Sequence, residues 1–213
     1  MADFLEMNKM VECGKAKIVK ELVTAAIEEG IAPKAILEEG LLPGMSAIGE
    51  KFRNNEVYVP EVLIAARAMN AGVTLLKPLM TSEDTAGGGV AVIGTVKGDL
   101  HDIGKNLVKM MLEGKGIQVV DLGVDVSAET FVQGAIDNNA DIICCSALLT
   151  TTMPEMAEVV KEAEAKGVRE KVWIMVGGAP ITQEYCDKIG ADCYTVDAAS
   201  AAEAASAHIK AAG

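Results

Sequence analysis

Two acids and a histidine lie close together in the segment 94–106, which has the sequence Gly-Thr-Val-Lys-Gly-Asp-Leu-His-Asp-Ile-Gly-Lys-Asn. Asp99 precedes His101 by two residues, and His101 is one of only two histidines in the chain. A histidine that ligates a metal ion uses a neutral ring, and its second ring nitrogen is commonly held by a carboxylate. The pair therefore has the chemistry of a metal-ligating histidine with its orienting acceptor, but a polar loop with a solvated histidine is the commoner explanation of these residues taken alone.

This segment follows a predicted strand and leads into a predicted helix. An apolar run at 90–93 precedes it, behind three consecutive glycines. Apolar residues at helical spacing follow it: Ile103, Leu107, Val108, Met110, Met111 and Leu112. The segment is thus a loop at the carboxyl end of a strand, which is where open α/β sheets bind their ligands.

Two other predicted strands end in unusual residues. The third leads into Ser146 and Leu148, followed by three threonines at 150–152, and the fourth ends at Gly177 and Gly178. In a flavodoxin-like strand order the switch point lies between the first and third strands, so these strand ends and the histidine loop face one crevice. We expect them to form a single site.

Residues 90–213 alternate between strand and helix patterns. The predicted strands are apolar and rich in β-branched residues, as a parallel sheet covered by helices on both faces requires. They span 90–96, 117–121, 141–147, 172–176 and 192–196. The predicted helices span 103–114, 128–138, 154–166, 182–189 and 200–211. The pattern predicts a five-stranded, doubly wound parallel sheet of the flavodoxin-like, Rossmann-like kind.

Residues 1–80 show only helical periodicity. The four predicted helices run from Met7 to near Gly30, from Pro33 to Gly40, from Pro43 to Asn54 and from Pro60 to Leu79. Four helices with short connections form a bundle. The acids and glycines of residues 81–89 are typical of a linker. The predicted fold class is therefore α plus α/β, with a four-helix bundle at 1–80, a linker at 81–89 and the α/β domain at 90–213.

Composition limits the partners and the location. The formal net charge of -12 argues against a nucleic acid partner, because nucleic-acid affinity comes from clustered lysines and arginines. No window approaches the roughly 18 uninterrupted apolar residues of a membrane span, and the first residues lack the basic and apolar regions of a secretory signal. We expect a cytoplasmic protein with no nucleic acid or membrane partner.

The residues at the three strand ends resemble the motifs of a known family. The shared pattern is Asp-x-His-x-x-Gly, 41 residues, Ser-x-Leu, 28 residues and Gly-Gly, and its specified positions here are Asp99, His101, Gly104, Ser146, Leu148, Gly177 and Gly178. This is similar to the cobalamin-binding signature of corrinoid-dependent methyltransferases and mutases. The segment 52–60 also resembles the cap segment of cobalamin-dependent methionine synthase and of the small corrinoid proteins of methylotrophic methanogens and acetogens, so the resemblance covers nearly the whole chain.

The resemblance implies a cobalamin or related corrinoid cofactor that cycles between methylcob(III)alamin and cob(I)alamin. In the family, the lower-face base leaves the cobalt, and the histidine that matches His101 becomes the axial cobalt ligand. Asp99 would orient the ring and Thr152 would extend the hydrogen-bond chain, at a position where methionine synthases often carry serine. When the methyl group leaves, the histidine is released and can take up a proton.

The resemblance also implies roles around the displaced nucleotide tail of the cofactor. Ser146 would hydrogen-bond the tail, Leu148 would pack against it, and the glycines 177–178 would let backbone approach it. Gly104 and Thr150 complete the candidate cofactor-binding residues of this domain. The alternative for Ser146, Thr150 and the glycine pair is that they only form the ends of strands and do not contact a ligand.

Phe52 and Val59 are the candidate cofactor-binding residues of the helical half. By the resemblance, they would cover the methyl group on the upper face of the corrinoid and keep water and oxidants away. The helical bundle would then act as a cap domain. The alternative is that both side chains only contribute to the core of the bundle.

The function implied by the resemblance is a corrinoid methyl carrier. It would accept a methyl group from a substrate-specific methyltransferase and pass it to a second methyltransferase that methylates a thiol or a pterin. The chain shows no zinc-binding Cys/His cluster, barrel or reductive-activation domain, so we expect a non-catalytic carrier served by two methyltransferases and a reductive activation protein. The donor is a methylated amine, a quaternary amine, methanol or a methoxylated aromatic, with the amines slightly favoured.

Other functions explain the sequence less well. A cobalamin-dependent sensor or regulator has similar parts but usually carries a DNA-binding module, and no basic helix-turn-helix candidate is present. The small subunit of a carbon-skeleton mutase would not need the helices of residues 1–80. A phosphoacceptor receiver requires an Asp where the third strand ends in Ser146, and a dinucleotide site requires Gly-x-Gly-x-x-Gly, a spacing that Gly94, Gly98 and Gly104 lack.

Overall fold

A computed structural model describes residues 3–80 and 88–212 of the chain. The predicted linker at 81–89 lies outside the described residues, apart from Gly88 and Gly89. The domain boundaries drawn around that linker therefore stay predictions.

The described residues form two compact units. The helical unit ends at Gly88 and also includes Glu113–Gly116, and the remaining residues form the α/β unit. The helices of the helical unit are α1 (Phe4–Glu12), α2 (Ala16–Glu28), α3 (Pro33–Ala35), α4 (Leu42–Arg53) and α5 (Val59–Leu76). A π-helical segment, Ile36–Leu41, joins α3 to α4, and a 3-10 turn, Lys77–Leu79, follows α5.

The first predicted helix is two helices in the structure, α1 and α2. Gly14 lies between them with a φ of +68°, a left-handed backbone conformation that glycine adopts most readily. A Cβ at this position would lie 2.0 Å from Cγ2 of Ile64. The prediction of one continuous helix is therefore wrong at Gly14, where α5 packs directly against the glycine backbone.

The predicted break between the second and third helices is absent. The π-helical segment keeps the chain helical through Gly40, and Pro43 lies in the first turn of α4, where the missing proline N–H is tolerated. The side-chain amide of Asn8 donates to the Glu39 carbonyl at 2.9 Å, which supplies a partner for this irregular turn. The pattern around Gly40 and Pro43 therefore marks a change of helix type rather than a helix end.

Helix α5 packs against α1, α2 and α4 along one face. Its buried residues are Val62, Ala65, Ala66, Ala68, Met69, Gly72 and Leu76. Within residues 3–80 and 88–212, only Val59–Leu79 is also long and apolar enough to span a membrane, a test that core helices of soluble proteins pass as well. The exposed side of the helix carries Glu61 and Arg67 together with Leu63 and Ile64, so this side is only partly polar.

The α/β unit contains one parallel sheet covered by helices. Its strands are β1 (Val90–Thr95), β2 (Gln118–Asp121), β3 (Ile142–Ser146), β4 (Trp173–Gly177) and β5 (Cys193–Tyr194), in the order β2-β1-β3-β4-β5. Its helices are α6 (Ile103–Glu113), α7 (Ala128–Asp137), α8 (Pro154–Ala165), α9 (Gln183–Ile189) and α10 (Ala198–Ala212). The flavodoxin-like strand order is confirmed, and with it the predicted fold class.

Strand β5 is the one element of this unit that is much shorter than predicted. At its start, the Asp192 carboxylate accepts the backbone N–H of Ile174 at 2.7 Å and the guanidinium of Arg169 at 2.7 Å. The backbone N–H of Asp192 also donates to the Ile174 carbonyl at 2.9 Å. The ladder between β4 and β5 pairs only Met175 with Cys193 and Val176 with Tyr194, so the predicted strand residues 195 and 196 lie beyond it.

Candidate functional site

The three predicted strand ends are neighbours in the sheet. In the parallel register, Thr95 of β1 pairs with Ser146 of β3, which pairs in turn with Gly177 of β4. The loops that leave these strands therefore begin side by side at one edge of the sheet. This edge includes the switch point between β1 and β3, where doubly wound folds bind their ligands.

Asp99 is the buried centre of this site. Its carboxylate is fully buried and accepts five hydrogen bonds. Oδ1 accepts from the Nδ1 atom of His101 at 2.7 Å and from the backbone N–H of the same residue at 3.1 Å. Oδ2 accepts from the backbone N–H groups of Leu148 at 2.8 Å and Leu149 at 3.2 Å, and from the hydroxyl of Thr152 at 2.9 Å. The predicted contacts of Asp99 with His101 and Thr152 are thus both present in the structure.

These hydrogen bonds decide the protonation of the pair. Burial by itself would raise the pKa of Asp99, but the hydrogen bonds from Leu148, His101 and Thr152 outweigh it and hold the pKa well below its usual range. An ionised carboxylate can only accept hydrogen bonds, so Nδ1 of His101 carries the proton between them. In the neutral ring Nε2 then keeps its lone pair, which is the state that metal ligation requires.

The backbone of the histidine loop is held from two further sides. The buried hydroxyl of Thr95 donates to the carbonyl of His101 at 2.8 Å. Asp125, which follows β2, accepts the backbone N–H of Gly98 at 2.7 Å and donates its own N–H to the carbonyl of Asp99 at 3.0 Å. Thr95 and Asp125 were not predicted as site residues, since hydrogen bonds between a side chain and a distant backbone group leave no motif in the sequence.

The glycines of the signature differ in what surrounds them. Gly178 has a φ of +136°, and a Cβ there would lie 1.8 Å from the carbonyl oxygen of Ala147, so the fold alone requires this glycine. A Cβ at Gly177 would meet only the Thr195 carbonyl oxygen, at 3.9 Å, and one at Gly104 would meet nothing within 4 Å. The local structure does not explain Gly104 and Gly177, and both leave room for another molecule to approach the backbone.

Ser146 and the three threonines after β3 differ in burial and in hydrogen bonding. Ser146 is half-buried, and its hydroxyl makes no hydrogen bond to another of residues 3–80 and 88–212, although it is not a buried unpaired group. Thr150 and Thr151 are exposed, whereas Thr152 is buried against Asp99. Ser146 therefore offers a free donor and acceptor at the edge of the sheet, as cofactor binding would require.

Exposed apolar side chains cluster at the same edge of the sheet. In the described part of the α/β unit, the large exposed hydrophobic side chains other than Ile136 lie in loops that follow strands or at the start of α6. They are Leu100, Ile103, Val124, Leu148, Leu149 and Val196. A concentration of exposed apolar groups is typical of a surface that another molecule covers. The site therefore suits a large ligand that is partly apolar and has groups that accept hydrogen bonds.

Phe52 and Val59 lie at either end of the connection between α4 and α5. Both are half-buried in the helical unit. Asn55 has a φ of +59°, and the N–H groups of Asn55 and Glu56 bond back to the carbonyls of Phe52 and Lys51, as in a Schellman helix end. The connection is thus ordered by its own hydrogen bonds, and the role of both side chains toward a cofactor stays a prediction.

Comparisons with known proteins agree with this arrangement. Two family models, each described as a B12 binding domain, match residues 7–77 and 89–206. The chain is 46% identical over 186 residues to dimethylamine corrinoid protein 1 of Methanosarcina acetivorans, covering 85% of this chain and 87% of that protein. It is 43% identical over 180 residues to trimethylamine corrinoid protein 1 of the same organism, covering 84% and 83% of the two chains.

A solved structure shows the same fold over almost the whole chain. It is the methanol:cobalamin methyltransferase complex MtaBC of Methanosarcina barkeri, with a TM-score of 0.85 and 30% identity, covering 96% of this chain and 78% of that one. Together, the fold and the two family matches define a B12-binding protein. The chain belongs to the corrinoid proteins of methyltransferase systems, which confirms the predicted family and cofactor class.

Proposed function

We propose that this corrinoid protein carries methyl groups from a methylated amine to an acceptor methyltransferase. The carrier function itself follows from the family. The observation that supports it most directly is the Asp99–His101 pair, whose 2.7 Å hydrogen bond leaves Nε2 as the free ring nitrogen. The amine donor is inferred from the relatives, which are named for dimethylamine and trimethylamine.

The residues at the switch point fit a corrinoid. His101 would hold the cobalt through Nε2, Ser146 would hydrogen-bond the nucleotide tail, and the open positions at Gly104 and Gly177 would admit it. Leu148, with 43% of its surface exposed, would pack against the ligand. When bound, the corrinoid supplies a cobalt centre that accepts and releases methyl groups.

The remaining contacts control the proton and the position of the histidine. The side chain of His101 is 52% exposed, so solvent can deliver a proton to Nε2 whenever that nitrogen is not ligating a metal. The hydrogen bonds from Leu148 and Thr152 hold the pKa of the Asp99 carboxyl well below its usual range, so it stays an acceptor for Nδ1 of His101. The chain therefore links metal ligation to proton uptake at one atom.

We propose that the chain itself is not a catalyst and that its partners perform both transfers. A substrate-specific methyltransferase would supply the methyl group, a second methyltransferase would remove it, and a reductive activation protein would restore the cofactor after oxidation.

We also propose a cytoplasmic location for the protein. Its domains would be a helical cap at 1–80, a linker at 81–89 and the cobalamin domain at 90–213. The further residues that would contact the cofactor are Phe52, Val59, Thr150 and Gly178.

A methyl-transfer assay tests the donor class. The chain is reconstituted with hydroxocobalamin, reduced, and mixed separately with the methyltransferases for trimethylamine, dimethylamine, monomethylamine and methanol and their ¹⁴C-methyl substrates. We expect label to co-elute with the protein in at least one amine reaction and not with methanol. Label from methanol alone would contradict the amine donor, and label from none of the four would contradict the carrier function proposed for these systems.

A further inference from the structure

Lys105 is a buried lysine four residues after His101, in the first turn of α6. Its side chain is only 2% exposed, and among the described residues it is the one buried basic side chain. Its Nζ atom donates to Oδ1 of Asp121 at 2.6 Å and to Oδ1 of Asn106 at 2.8 Å. A buried ammonium is costly unless it is paired and hydrogen-bonded, so this pairing determines where the start of α6 can lie.

Asp121, the partner of Lys105, ends strand β2 and begins a tight turn. The same Oδ1 atom accepts the backbone N–H of Gly123 at 3.0 Å, and Gly123 has a φ of +88°. The other oxygen, Oδ2, accepts from Lys109 at 3.2 Å, and that lysine side chain is 31% exposed. Lys105 and Lys109 thus share one carboxylate, but only Lys105 is enclosed.

The turn after Asp121 holds the middle of the histidine loop. The carbonyl of Gly123 accepts the N–H of Thr95 at 3.0 Å, and Asp125 bonds to Gly98 and to the carbonyl of Asp99. These contacts lie on the β2 side of the loop, opposite the contacts that Asp99 makes with the loop after β3. The ion pair therefore connects the helix that ends the histidine loop to the turn that supports its centre.

We propose that Lys105 is a positioning residue for His101. The buried ammonium fixes the first turn of α6 to the end of β2. The two ends of the loop 97–102 are then held at one distance and in one orientation. The imidazole then presents Nε2 to a metal without reorganisation of the loop. This inference rests on the proposed role of His101 as the axial ligand, and its own content is the contribution of Lys105.

The test compares two lysine variants in the full chain reconstituted with hydroxocobalamin. Electron paramagnetic resonance of the Co(II) form reports nitrogen coordination by its hyperfine splitting, and circular dichroism reports folding. We expect Lys105→Met to lower the equilibrium constant for histidine ligation roughly tenfold, at the low end of the effect of outer-shell partners of metal ligands. Lys109→Met removes the other positive charge beside the Asp121 carboxylate. In this variant His101 should ligate the cobalt as it does in the wild type.

Ligation by Lys105→Met equal to that of the wild type would overturn the proposal, as would equal losses in both lysine variants. If Lys105→Met does not fold, Asp121→Asn replaces it, since the amide oxygen can still accept from Gly123 while the ion pair is lost. This variant should show the same tenfold loss, and unchanged ligation would overturn the proposal. His101→Ala is measured in the same series: if it keeps the wild-type coordination, the ligand role of His101 fails rather than the role of Lys105.

Discussion

At the scale of residues, the buried Asp99 determines the direction of a half-exposed histidine. His101 has 52% of its side chain in solvent, whereas the Asp99 side chain is completely buried. A surface side chain loses rotamer entropy when it is held in one orientation. Here the hydrogen bonds to Asp99 offset that loss when the protein folds, so it does not oppose ligand binding. We infer that changes at Asp99 act on metal ligation through the orientation of the ring.

Asp99→Asn tests this inference. In the variant an NH2 group, which only donates, replaces one of the two accepting oxygens, so the side chain can no longer accept hydrogen bonds both from His101 and from the loop after β3. The ring then loses its fixed position. We expect the ligation of cobalt by His101 to weaken about 10- to 100-fold, as for other outer-shell partners of metal ligands, in a spectroscopic titration of the reconstituted protein. The control is Asp102→Asn at the neighbouring exposed acid. Equal ligation by Asp99→Asn and wild type would contradict the orienting role.

The lowered pKa of Asp99 also predicts a pH dependence of stability. As the pH falls, the unfolded chain takes up this proton first, near the ordinary pKa of about 3.9, while the folded chain resists protonation. Protonation therefore favours unfolding, so the contribution of Asp99 is complete above about pH 4 and declines below it. In urea titrations, the difference in free energy of unfolding between wild type and Asp99→Asn should shrink as the pH falls below about 4. A difference that grows below about pH 4 would contradict this assignment.

The family resemblance predicted the contacts of Asp99 with His101 and Thr152 but not the residues that hold the histidine loop. Asp99, His101 and Thr152 were expected to interact, and they do. Thr95 and Asp125 were missed because their partners are backbone groups, whose positions depend on the folded sheet. Residue type and spacing alone carry no information about such contacts.

At the scale of elements, the end of β4 separates a glycine required by the fold from one that is open. Gly178 faces the carbonyl of Ala147 in a backbone conformation that only glycine adopts readily, whereas Gly177 has free space where a Cβ would lie. From the sequence alone, the glycine pair could be required either by the turn at the end of the strand or by a bound ligand.

The two alanine variants should therefore behave differently. Gly178→Ala should lower the free energy of unfolding by at least about 3 kcal/mol, because it combines a backbone clash with backbone strain. Gly177→Ala should change stability by less than about 0.5 kcal/mol, yet weaken hydroxocobalamin binding roughly tenfold, since overpacking a fitted surface costs about 1–3 kcal/mol. Chemical denaturation and equilibrium binding measure the two effects. Unaltered affinity in Gly177→Ala would show that this glycine does not face the ligand.

Periodicity predicted the elements of the α/β unit better than those of the helical unit. Strand and helix alternate there with clear turn residues, and most bounds agree with the structure within two residues. In the helical unit, the break at Gly14 follows from close packing against Ile64, and the continuity through Pro43 follows from a π-helical segment. Both depend on tertiary contacts or hydrogen-bond type, which a pattern of apolar residues does not report.

At the scale of the whole molecule, the cap role of Phe52 can be tested against a matched side chain. Phe52→Ala should speed the photolysis or oxidation of the methylated cofactor, if the phenylalanine shields it as the family resemblance implies. The control is Phe4→Ala, which removes another half-buried ring from α1 of the same helical unit. The decay of the absorption spectrum under light or air measures the rates. Equal rates in the two variants would assign Phe52 to the helical core alone.

The central claim is that His101 ligates the cobalt of a bound corrinoid, and one spectrum tests it most directly. The chain is incubated with hydroxocobalamin, freed of unbound cofactor, and its ultraviolet-visible spectrum is compared with those of His101→Ala and His208→Ala, the only other histidine. We expect the wild type and His208→Ala to retain the corrinoid with imidazole ligated to its cobalt. His101→Ala should either lose the corrinoid or retain it without imidazole ligation. Wild-type coordination in His101→Ala, or no retained corrinoid in the wild type, would contradict the claim.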